Sequence, residues 1–463
     1  MISDDCIIAL ATASGSGAIA VIRISGKDAI TMCDKHFKSV KSQKSLSEQS
    51  THTIHLGHIL KDGKDLDEVL VSVFKNPKSY TGENVVEISC HGSSFIQQEI
   101  IQLFLRAGCR VANPGEFTLR AFLNGKLDLS QAEAVADLIA SDNEASHQVA
   151  MQQMRGGFSN EIKALRDELL NFASLIELEL DFAEEDVEFA NRDQFKNLIQ
   201  RIIKVLKHLI DSFAIGNVIK NGIPVAIVGE PNVGKSTLLN ALLNEDKAIV
   251  SEIAGTTRDA IEDELNIGGI GFRFIDTAGI RDTEDVIESI GIKKTFEKID
   301  QSQVVIYLFD CSKSIENLDQ VKIEIEKIKN KNPQKPLVII ANKIDKLDAI
   351  QLAKLTTEIP SVHLLSAKTG LGVEQLTNAL LNLINTGALR NNETIITNSR
   401  HYDALLKALE EIQKVQHGMD SELSGDLLAI DIRQALYHFG EITGEITSDD
   451  LLGNIFANFC IGK

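Results

Sequence analysis

The chain has 463 residues, of which 43% are apolar and 24% are charged, and its 66 acidic and 47 basic residues give a formal charge of −19. This composition predicts a globular chain of several domains and excludes disordered, collagen-like and disulfide-dense classes. The negative charge argues against a large surface that coats nucleic acid, because phosphate binding needs concentrated lysine and arginine. The net charge does not exclude a local basic patch on this chain, or a partner that contributes one.

The cysteines and the N-terminus indicate the compartment. Six widely spaced cysteines form no CxxC pair, which predicts neither a zinc site nor a disulfide framework and suits a reducing compartment. The N-terminal MISDDCIIALATASGSG has no basic cluster, so we expect no signal peptide. Apolar runs such as residues 304–309 are far shorter than the ~20 residues of a membrane helix. We therefore expect a soluble, cytoplasmic protein.

The first half of the chain changes from mixed structure to helices. Residues 18–25 (AIAVIRIS) and 69–74 (VLVSVF) alternate apolar and polar positions, which predicts strands. Ser130-Gln-Ala-Glu133 predicts a capping box before an apolar run. Apolar residues then recur at steps of three and four between 162 and 180 and between 195 and 209. This pattern predicts long amphipathic helices whose apolar stripes face the core of a bundle.

At Pro224 the pattern changes again. The runs PVAIVG, FRFID, VVIYLFD and PLVIIANK are short, apolar and separated by helical stretches, which is typical of a parallel sheet. This module ends near Gly387, and helices resume from Ser399. A final helix is predicted to be capped near residues 447–449. The order indicates a helical bundle with an α/β module inserted into it.

A phosphate-binding loop opens that module. Residues 229–236 (GEPNVGKS) fit GxxxxGK[ST], follow a predicted strand and open a predicted helix, which is the context of a P-loop. Backbone N–H groups of such a loop point at phosphate oxygens, Lys235 adds positive charge, and the Ser236 hydroxyl binds Mg²⁺. An ordinary glycine turn would lack the strand and the helix.

Further motifs follow in order and favour guanine. The 276–279 motif (DTAG) follows the strand FRFI, so its aspartate would hold Mg²⁺ through water and Gly279 would sense the γ-phosphate. The 342–345 motif (NKID) follows PLVIIA, and the Asp345 carboxylate can accept two hydrogen bonds from guanine. Adenine offers no such pair of donors, so we expect GTP over ATP. Residues 366–368 (SAK) supply backbone and packing to the base.

The remaining motif positions concern hydrolysis. Residues 255–259 (GTTRD) lie where a switch loop is expected, and Ile280 occupies the place of the glutamine that orients water in Ras-like proteins. Isoleucine cannot do this, so hydrolysis must use another group. Four motifs in order, each following a strand, predict a GTPase. We expect the nucleotide to contact Asn232, Val233, Gly234, Lys235, Ser236, Thr237, Gly255, Thr256, Thr257, Asp276, Thr277, Ala278, Gly279, Asn342, Lys343, Asp345, Ser366, Ala367 and Lys368.

With these motifs, the chain resembles the bacterial and organellar family of tRNA modification GTPases called MnmE or TrmE. The resemblance spans nearly all residues and is most specific at residues 460–463 (CIGK), preceded by GEITSDDLLGNIFANF, and at residues 114–139 (PGEFTLRAFLNGKLDLSQAEAVADLI). It implies an α/β and α+β multidomain chain with a folate-binding-like N-terminal domain, a helical bundle and an inserted Ras-like P-loop GTPase domain. The expected domains are 1–120 for folate binding and dimerisation, 121–215 and 386–463 for the two helical parts, and 216–385 for the GTPase.

The resemblance also implies an activity and its partners. A homodimer would act with the flavin-dependent subunit MnmG, in a heterotetramer-like complex and away from membranes, on the wobble uridine of certain tRNAs. It would add an aminomethyl or carboxymethylaminomethyl group, with a tetrahydrofolate derivative as one-carbon donor. The matching folate contacts are Arg23, Glu87, Lys126 and Lys463, and Cys460 matches a catalytic cysteine.

For hydrolysis the resemblance implies a K⁺ ion in place of an arginine finger, with Glu288 orienting the attacking water. The matching K⁺ ligands are Asn232, Ser251, Ile253 and Thr256, and those of Mg²⁺ are Ser236 and Thr257. Neutral oxygens suit a large monovalent ion better than Mg²⁺, which demands tight octahedral geometry. The resemblance also implies nucleotide contacts at Ser251, Glu252, Ile253 and Ala254.

Several alternatives stay open at this point. Arg23 and Glu87 could be outward strand residues, and Lys126 a surface charge. Ser93 stands where the family has the second glycine of His-Gly-Gly, and left-handed backbone costs more for serine. The chain could instead be a regulatory P-loop GTPase in ribosome assembly, whose other domains only bind partners. That function predicts no response to reduced folate. The acidic charge suggests that the flavin partner supplies much of the tRNA-binding surface.

Overall fold

The computed structural model describes residues 5–40, 45–181, 191–243, 248–250, 263–275, 299–383, 394–457 and 459–462. The chain divides into two compact units. The first comprises Met1–Ile139, Met151–Lys204 and Asp403–Lys463, and the second comprises Ala140–Ala150 and Val205–Tyr402. Within the described residues, each unit contains a seven-stranded sheet.

Among the described residues, 7–111 are mostly strands, 116–221 and 399–457 are helical, and 223–382 mix strands with helices. The strands are β1 (Ile7–Leu10), β2 (Ile19–Ser25), β3 (Phe37–Ser39), β4 (Thr53–Lys61), β5 (Lys64–Phe74), β6 (Val85–His91), β7 (Arg110–Val111), β8 (Ile223–Val228), β9 (Ala248–Val250), β10 (Asp263–Ile267), β11 (Ile270–Phe274), β12 (Val304–Asp310), β13 (Leu337–Asn342) and β14 (Val362–Leu364). The helices are α1 (Ala29–Asp34), α2 (Ser94–Arg106), α3 (Glu116–Leu123), α4 (Leu129–Ala140), α5 (Glu144–Met154), α6 (Gly157–Asp181), α7 (Arg192–Asn221), α8 (Lys235–Leu243), α9 (Cys311–Ser314), α10 (Leu318–Lys331), α11 (Ala349–Glu358), α12 (Val373–Asn382), α13 (Ser399–Asp420), α14 (Gly425–Thr443) and α15 (Asp449–Ala457). Single 3₁₀ turns lie at Leu46–Glu48 and Ile344–Lys346.

The first sheet has the order β3-β4-β5-β6-β2-β1-β7, and its neighbours are antiparallel except for β1 and β7. Apolar residues alternate along β2, so Ala20, Ile22 and Ile24 are buried on one face. Residues of α1 and α2 belong to the same core. The opposite face carries Arg23 of β2 directly across from Glu87 of β6. The strands predicted at 18–25 and 69–74 are confirmed as β2 and the end of β5.

The helical parts of the first unit bury their predicted stripes. Ile162 and Leu169 of α6 are buried, as are Phe195 and Ile202 of α7. Helix α6 packs along α14, which follows the inserted module in sequence. The prediction that helices resume at Ser399 is confirmed, because α13 begins there. The apolar residues that recur every three or four positions therefore face the core, as predicted.

The capping box before α4 lies two residues earlier than the sequence predicts. Oδ1 of Asp128 accepts from the backbone N–H of Gln131 at 2.8 Å, and Oε1 of Gln131 accepts from the backbone N–H of Asp128 at 2.9 Å. Ser130 lies inside α4 and donates to Asp128 Oδ1 at 2.8 Å. The predicted Ser130–Glu133 box is wrong because a carboxylate at Asp128 both accepts from the first turn and complements the positive end of the helix dipole.

The second sheet has the order β14-β13-β12-β8-β11-β10-β9. Strands β8, β11, β12, β13 and β14 run parallel, and β10 is antiparallel to β9 and β11. Every residue of β12 (VVIYLFD) is buried, as expected for a strand covered on both faces. The predicted α/β module between helical segments is confirmed, although its predicted end near Gly387 lies outside the described residues. The carboxyl ends of β8, β12 and β13 meet at one edge, where a ligand site is expected.

Across the part of the chain that the structure describes, no helix combines the length and apolar character that a membrane crossing needs.

Candidate functional site

The phosphate loop is a tight turn between β8 and α8. Gly229 has a φ of 153° and Gly234 a φ of 103°, a region that residues with a Cβ rarely adopt. A Cβ on Gly229 would lie 2.0 Å from the carbonyl oxygen of Leu308, and one on Gly234 would lie 2.4 Å from Nδ2 of Asn342. Only glycine therefore lets this loop pass against the ends of β12 and β13, and the turn fits a nucleotide phosphate chain.

Lys235 begins α8 and lies over the loop. Its Nζ donates to the carbonyl oxygen of Gly229 at 2.7 Å and to that of Glu230 at 3.3 Å. Val233 is buried beneath the turn, whereas Ser236 is half-buried at the start of the helix. The positive end of the α8 dipole and the Lys235 ammonium together favour an anion at this place.

Asn342, the last residue of β13, joins three loops. Its Nδ2 donates to the carbonyl oxygen of Val233 at 2.8 Å. Its Oδ1 accepts from the backbone N–H of Lys343 at 2.8 Å and from that of Ala367 at 3.0 Å. The phosphate loop, the NKID loop and the SAK loop are therefore brought together through one buried side chain.

Asp345 presents a carboxylate at the surface of this assembly. Its Oδ1 accepts from Oγ of the buried Ser366 at 2.6 Å. That hydrogen bond is the main reason why the pKa of Asp345 lies below its usual value. Lys368 is exposed on the same loop as Ser366. The side chain is thus an ionised acceptor at neutral pH, which suits the paired N–H donors of a guanine edge.

Lys343 connects the NKID loop to the phosphate loop. Its Nζ donates to the carbonyl oxygen of Asn232 at 2.8 Å and to Oδ2 of Asp310 at 2.7 Å. Lys343 (φ 69°) and Asn232 (φ 63°) both have left-handed backbone, which is uncommon for residues other than glycine. Asp310 is not among the residues predicted from the sequence. The signal that points to it is a polar residue directly after the apolar run of a parallel strand.

Many of the predicted nucleotide contacts are not among the residues that the structure describes. Ser251, Glu252, Ile253, Ala254, Gly255, Thr256, Thr257, Asp276, Thr277, Ala278, Gly279, Ile280, Glu288 and Lys463 lie outside the described residues. The described members are Asn232, Val233, Gly234, Lys235, Ser236, Thr237, Asn342, Lys343, Asp345, Ser366, Ala367 and Lys368, and they belong to the loops at the carboxyl edge of the second sheet.

A second cluster of predicted residues lies on the first sheet. Nε of Arg23 donates to Oε1 of Glu87 at 2.8 Å, across the paired strands β2 and β6. The guanidinium carbon lies 5.6 Å from the ring centres of Tyr80 and Phe117. Nη1 of Arg23 donates to the carbonyl oxygen of Gly462 at 3.4 Å. Residues near both ends of the chain therefore meet at one place.

The C-terminal segment is held to the first unit through its backbone. The N–H of Gly115 donates to the carbonyl oxygen of Cys460 at 3.3 Å. Gly462 has a φ of 97°, and a Cβ there would lie 2.2 Å from the carbonyl oxygen of Leu10. The Cys460 side chain is exposed, whereas the other five cysteines are buried. The segment thus holds Gly462 against the sheet and leaves the Cys460 thiol accessible.

Lys126 lies beside the loop that carries Tyr80. Its Nζ donates to the carbonyl oxygen of Pro77 at 3.1 Å. A Cβ on Gly82, at the other side of this loop, would lie 3.3 Å from Cγ of Lys126. Lys126 is therefore linked to the Arg23 cluster through the loop at 77–82.

Ser93 adopts an ordinary backbone conformation at the place where the resemblance has glycine. Its φ is −71° and it precedes the first residue of α2, so serine does not have to adopt the left-handed backbone conformation that would be unfavourable for it. The neighbouring His91 is 69% exposed, and its Nδ1 lies 2.7 Å from Oδ1 of Asp67. Serine is therefore compatible with this loop.

The parallel sheet, the glycine-dependent phosphate loop and the NKID and SAK loops define the second unit as a P-loop GTPase domain. A family model described as the MnmE helical domain matches residues 129–460, and one described as the GTP-binding protein TrmE N-terminus matches residues 6–126. The chain belongs to the MnmE family of tRNA modification GTPases, and it is a GTP hydrolase. The predicted family and fold class are confirmed.

Full-length relatives agree with the family models. The tRNA modification GTPase MnmE of Flavobacterium psychrophilum is 71% identical over 463 residues, covering 100% of both chains. That of Christiangramia forsetii is 71% identical over 472 residues, covering 99% of each, and that of Bacteroides fragilis is 53% identical over 469 residues, covering 100% of each. Among solved structures, the G domain of the T. maritima FeoB iron transporter is 25% identical with a TM-score of 0.25, covering 35% of this chain and 97% of that one.

Proposed function

We propose that this chain, as a homodimer acting with the flavin-dependent subunit MnmG, adds an aminomethyl or carboxymethylaminomethyl group to the wobble uridine of certain tRNAs. A tetrahydrofolate derivative supplies the one-carbon unit. The relatives are named tRNA modification GTPases. The observation that carries the proposal furthest is the meeting of Arg23 and Glu87 with the backbone of Gly462, since the first and last of these lie 439 positions apart in the chain.

We assign the folate to this junction. The Glu87 carboxylate, already paired with Arg23, is an acceptor suited to the amino and N–H edge of a pterin. The rings of Tyr80 and Phe117, each centred 5.6 Å from the guanidinium carbon, offer apolar surfaces beside it. Lys126 and Lys463 are assigned to the acidic end of the ligand. When bound, the folate provides the carbon that is transferred, and these residues bind and orient it.

Cys460 is proposed as the catalytic cysteine of the modification. Its side chain is exposed at the end of the chain, while the backbone carbonyl of the same residue is held by Gly115. An accessible thiol on an anchored backbone can reach a bound substrate, whereas the buried cysteines cannot.

For GTP hydrolysis we propose a K⁺ ion and a Mg²⁺ ion beside the phosphate loop. Ser236 and Thr257 would hold Mg²⁺, and K⁺ would be held by Asn232, Ser251, Ile253 and Thr256. The left-handed turn at Asn232 and the loop that only glycine permits support phosphate binding here. When bound, the ions would supply positive charge to the phosphates, and we assign Glu288 to orient water because Ile280 cannot.

The open face of the first sheet supports the homodimer. Ile54 of β4 lies in the same cross-strand row as Glu87 of β6 and Arg23 of β2. Ile54 is 67% exposed, and Leu56 and Leu70 in the adjoining row are exposed as well. Because neighbouring exposed apolar side chains mark interaction surfaces, we propose that a second copy covers this face and closes the folate site.

The domain boundaries remain those predicted from the sequence. We propose a folate-binding and dimerisation domain at 1–120, helical parts at 121–215 and 386–463, and the GTPase domain at 216–385. We place the protein in the cytoplasm, because its cysteines are unpaired. The flavin partner is proposed to bring most of the positive surface for tRNA, given the formal charge of −19.

Titration with a reduced folate tests the proposed site. Arg23→Ala should lose roughly tenfold or more in folate affinity, because a charge-assisted hydrogen bond contributes about 1.5–3 kcal/mol. Arg106→Ala, which removes an exposed arginine at the end of α2, is the matched control and should bind folate as the parent does. Both variants should hydrolyse GTP at the parent rate. Absence of folate binding by the parent overturns the proposal and favours a regulatory GTPase.

A further inference from the structure

Asp310 lies at the carboxyl end of β12, beside the guanine-recognition loop. Strands β12 and β13 pair in parallel with Asp310 in register with Asn342, the first residue of the NKID motif. Only 6% of the Asp310 side chain is exposed. The topology of the sheet thus brings a buried carboxylate to the point where the base-binding loop begins.

Each oxygen of this carboxylate has its own partner. Oδ2 accepts from Nζ of Lys343 at 2.7 Å, and Oδ1 accepts from the backbone N–H of Ser312 at 3.1 Å and from its Oγ at 2.6 Å. Burial by itself would raise the pKa of Asp310, but the bonds from Lys343 and Ser312 outweigh it, so the pKa lies below its usual value. Asp310 is therefore charged at neutral pH, and the carboxylate of its ion pair with Lys343 is almost fully buried, whereas the lysine side chain is 26% exposed.

The same ammonium reaches the phosphate loop. Nζ of Lys343 donates to the carbonyl oxygen of Asn232 at 2.8 Å, and both residues have left-handed backbone. Non-glycine residues keep such a conformation only where their surroundings hold it. A series of contacts therefore runs from the end of β12, through a single lysine side chain, to the phosphate loop.

We propose that Asp310 is a positioning residue for the bound guanine nucleotide. It acts through Lys343: its charge fixes the ammonium, and the ammonium fixes the carbonyl of Asn232 and so the shape of the phosphate loop. The base-binding and phosphate-binding loops are thereby held as one unit. Loss of the Asp310 charge weakens binding of the nucleotide, whereas the specificity for guanine, which depends on Asp345, is unchanged.

Nucleotide release tests this role. The full chain is loaded with a fluorescent N-methylanthraniloyl GDP, and dissociation is followed after addition of excess GDP for the parent, Asp310→Asn and Ser312→Ala. Asp310→Asn should release the nucleotide at least about tenfold faster, because the buried carboxylate loses its charge and with it the ion pair to Lys343. Ser312→Ala is the matched control: it removes one bond to the same carboxylate but keeps the Lys343 pair, and should stay within about threefold of the parent.

Two further readouts separate positioning from a merely structural role. Asp310→Asn should retain the parent's preference for GTP over xanthosine triphosphate. Its faster release should also be seen at temperatures well below its melting temperature, where the variant is folded. Release at the parent rate in Asp310→Asn, or equal acceleration in Ser312→Ala, overturns the proposal. If Asp310→Asn does not fold, the nucleotide release rate of Asp310→Glu tests the proposal instead. One added methylene displaces the carboxylate, so release should be at least about threefold faster, and parent-like release overturns the proposal.

Discussion

Replacing Gly462 with alanine should detach the C-terminal segment from the first sheet. The φ of 97° at Gly462 is one that alanine adopts only at a cost of about 1–2 kcal/mol. The new Cβ would lie 2.2 Å from the carbonyl oxygen of Leu10 and 3.2 Å from Cα of Ala11. Because these are backbone atoms, no side-chain rotation relieves the overlap and the segment must move. The hydrogen bond from Arg23 to the Gly462 carbonyl is then lost.

The lost hydrogen bond sets the size of the effect. A bond from a charged donor contributes about 1.5–3 kcal/mol, which corresponds to a tenfold to hundredfold loss of affinity for a ligand that needs the segment in place. Global stability should change little, because the buried anchors of α15, Leu452 and Phe456, precede the segment. We therefore expect a melting temperature within about 2 °C of the parent.

The assay pairs folate titration with GTP hydrolysis for the parent, Gly462→Ala and Gly453→Ala. Gly453 lies in α15, and a Cβ there meets nothing within 4 Å, so this variant controls for a glycine-to-alanine change near the same end of the chain. We expect Gly462→Ala to lose at least about tenfold in folate affinity while Gly453→Ala does not. Both should hydrolyse GTP normally. Parent-like folate affinity in Gly462→Ala would refute the reasoning.

Asp345→Asn should weaken GTP binding by about 3–6 kcal/mol, since two bonds to a charged acceptor are lost, and should favour xanthosine triphosphate. Competition binding measures this, and unchanged GTP affinity contradicts it. At equal ionic strength the parent should hydrolyse GTP faster in K⁺ than in Na⁺. Asn232→Ala should lose that stimulation by K⁺. Glu288→Ala should hydrolyse GTP slowly in K⁺, although it still dimerises there. Equal parent rates in both salts reject the ion, and an active Glu288→Ala rejects the carboxylate. Thiol titration of the native chain should show one fast cysteine that disappears in Cys460→Ser, because the other five are buried; a second fast thiol disproves this burial. The pKa of Asp310 is depressed in the folded chain, so its contribution to stability is present above the unfolded pKa of about 3.9 and is lost as the pH falls through the folded value. Acid unfolding of Asp310→Asn should therefore depend less on pH in this range than that of the parent, and identical curves refute the shift.

The GTPase module is the part of the fold that the sequence predicts best. Its strands are continuous apolar runs such as VVIYLF, and buried parallel strands need that composition. Gly229 and Gly234 are predicted by their spacing, because close approach of a loop to strand ends permits no Cβ. In this module the local sequence pattern and the requirements of tertiary packing select the same residues, so its fold is predictable from the sequence.

Features that depend on long-range register are not predictable in this way. The Arg23 contact with Gly462 joins positions 439 residues apart, and no local pattern encodes it. Asp310 gains its partner only because β12 and β13 pair with Asp310 beside Asn342. The cap at Asp128 is missed for a different reason: two candidate acceptors lie close together in sequence, and the choice between them depends on where α4 begins.

The most direct test of the central claim is mass analysis of the wobble nucleosides in tRNA from cells that lack this chain. Those cells are complemented with the parent or with Arg23→Ala. We predict that modified wobble uridine disappears without the chain, returns with the parent and returns only in part with Arg23→Ala, although that variant still hydrolyses GTP. Unchanged modification in cells lacking the chain, or full restoration by Arg23→Ala, would contradict the account.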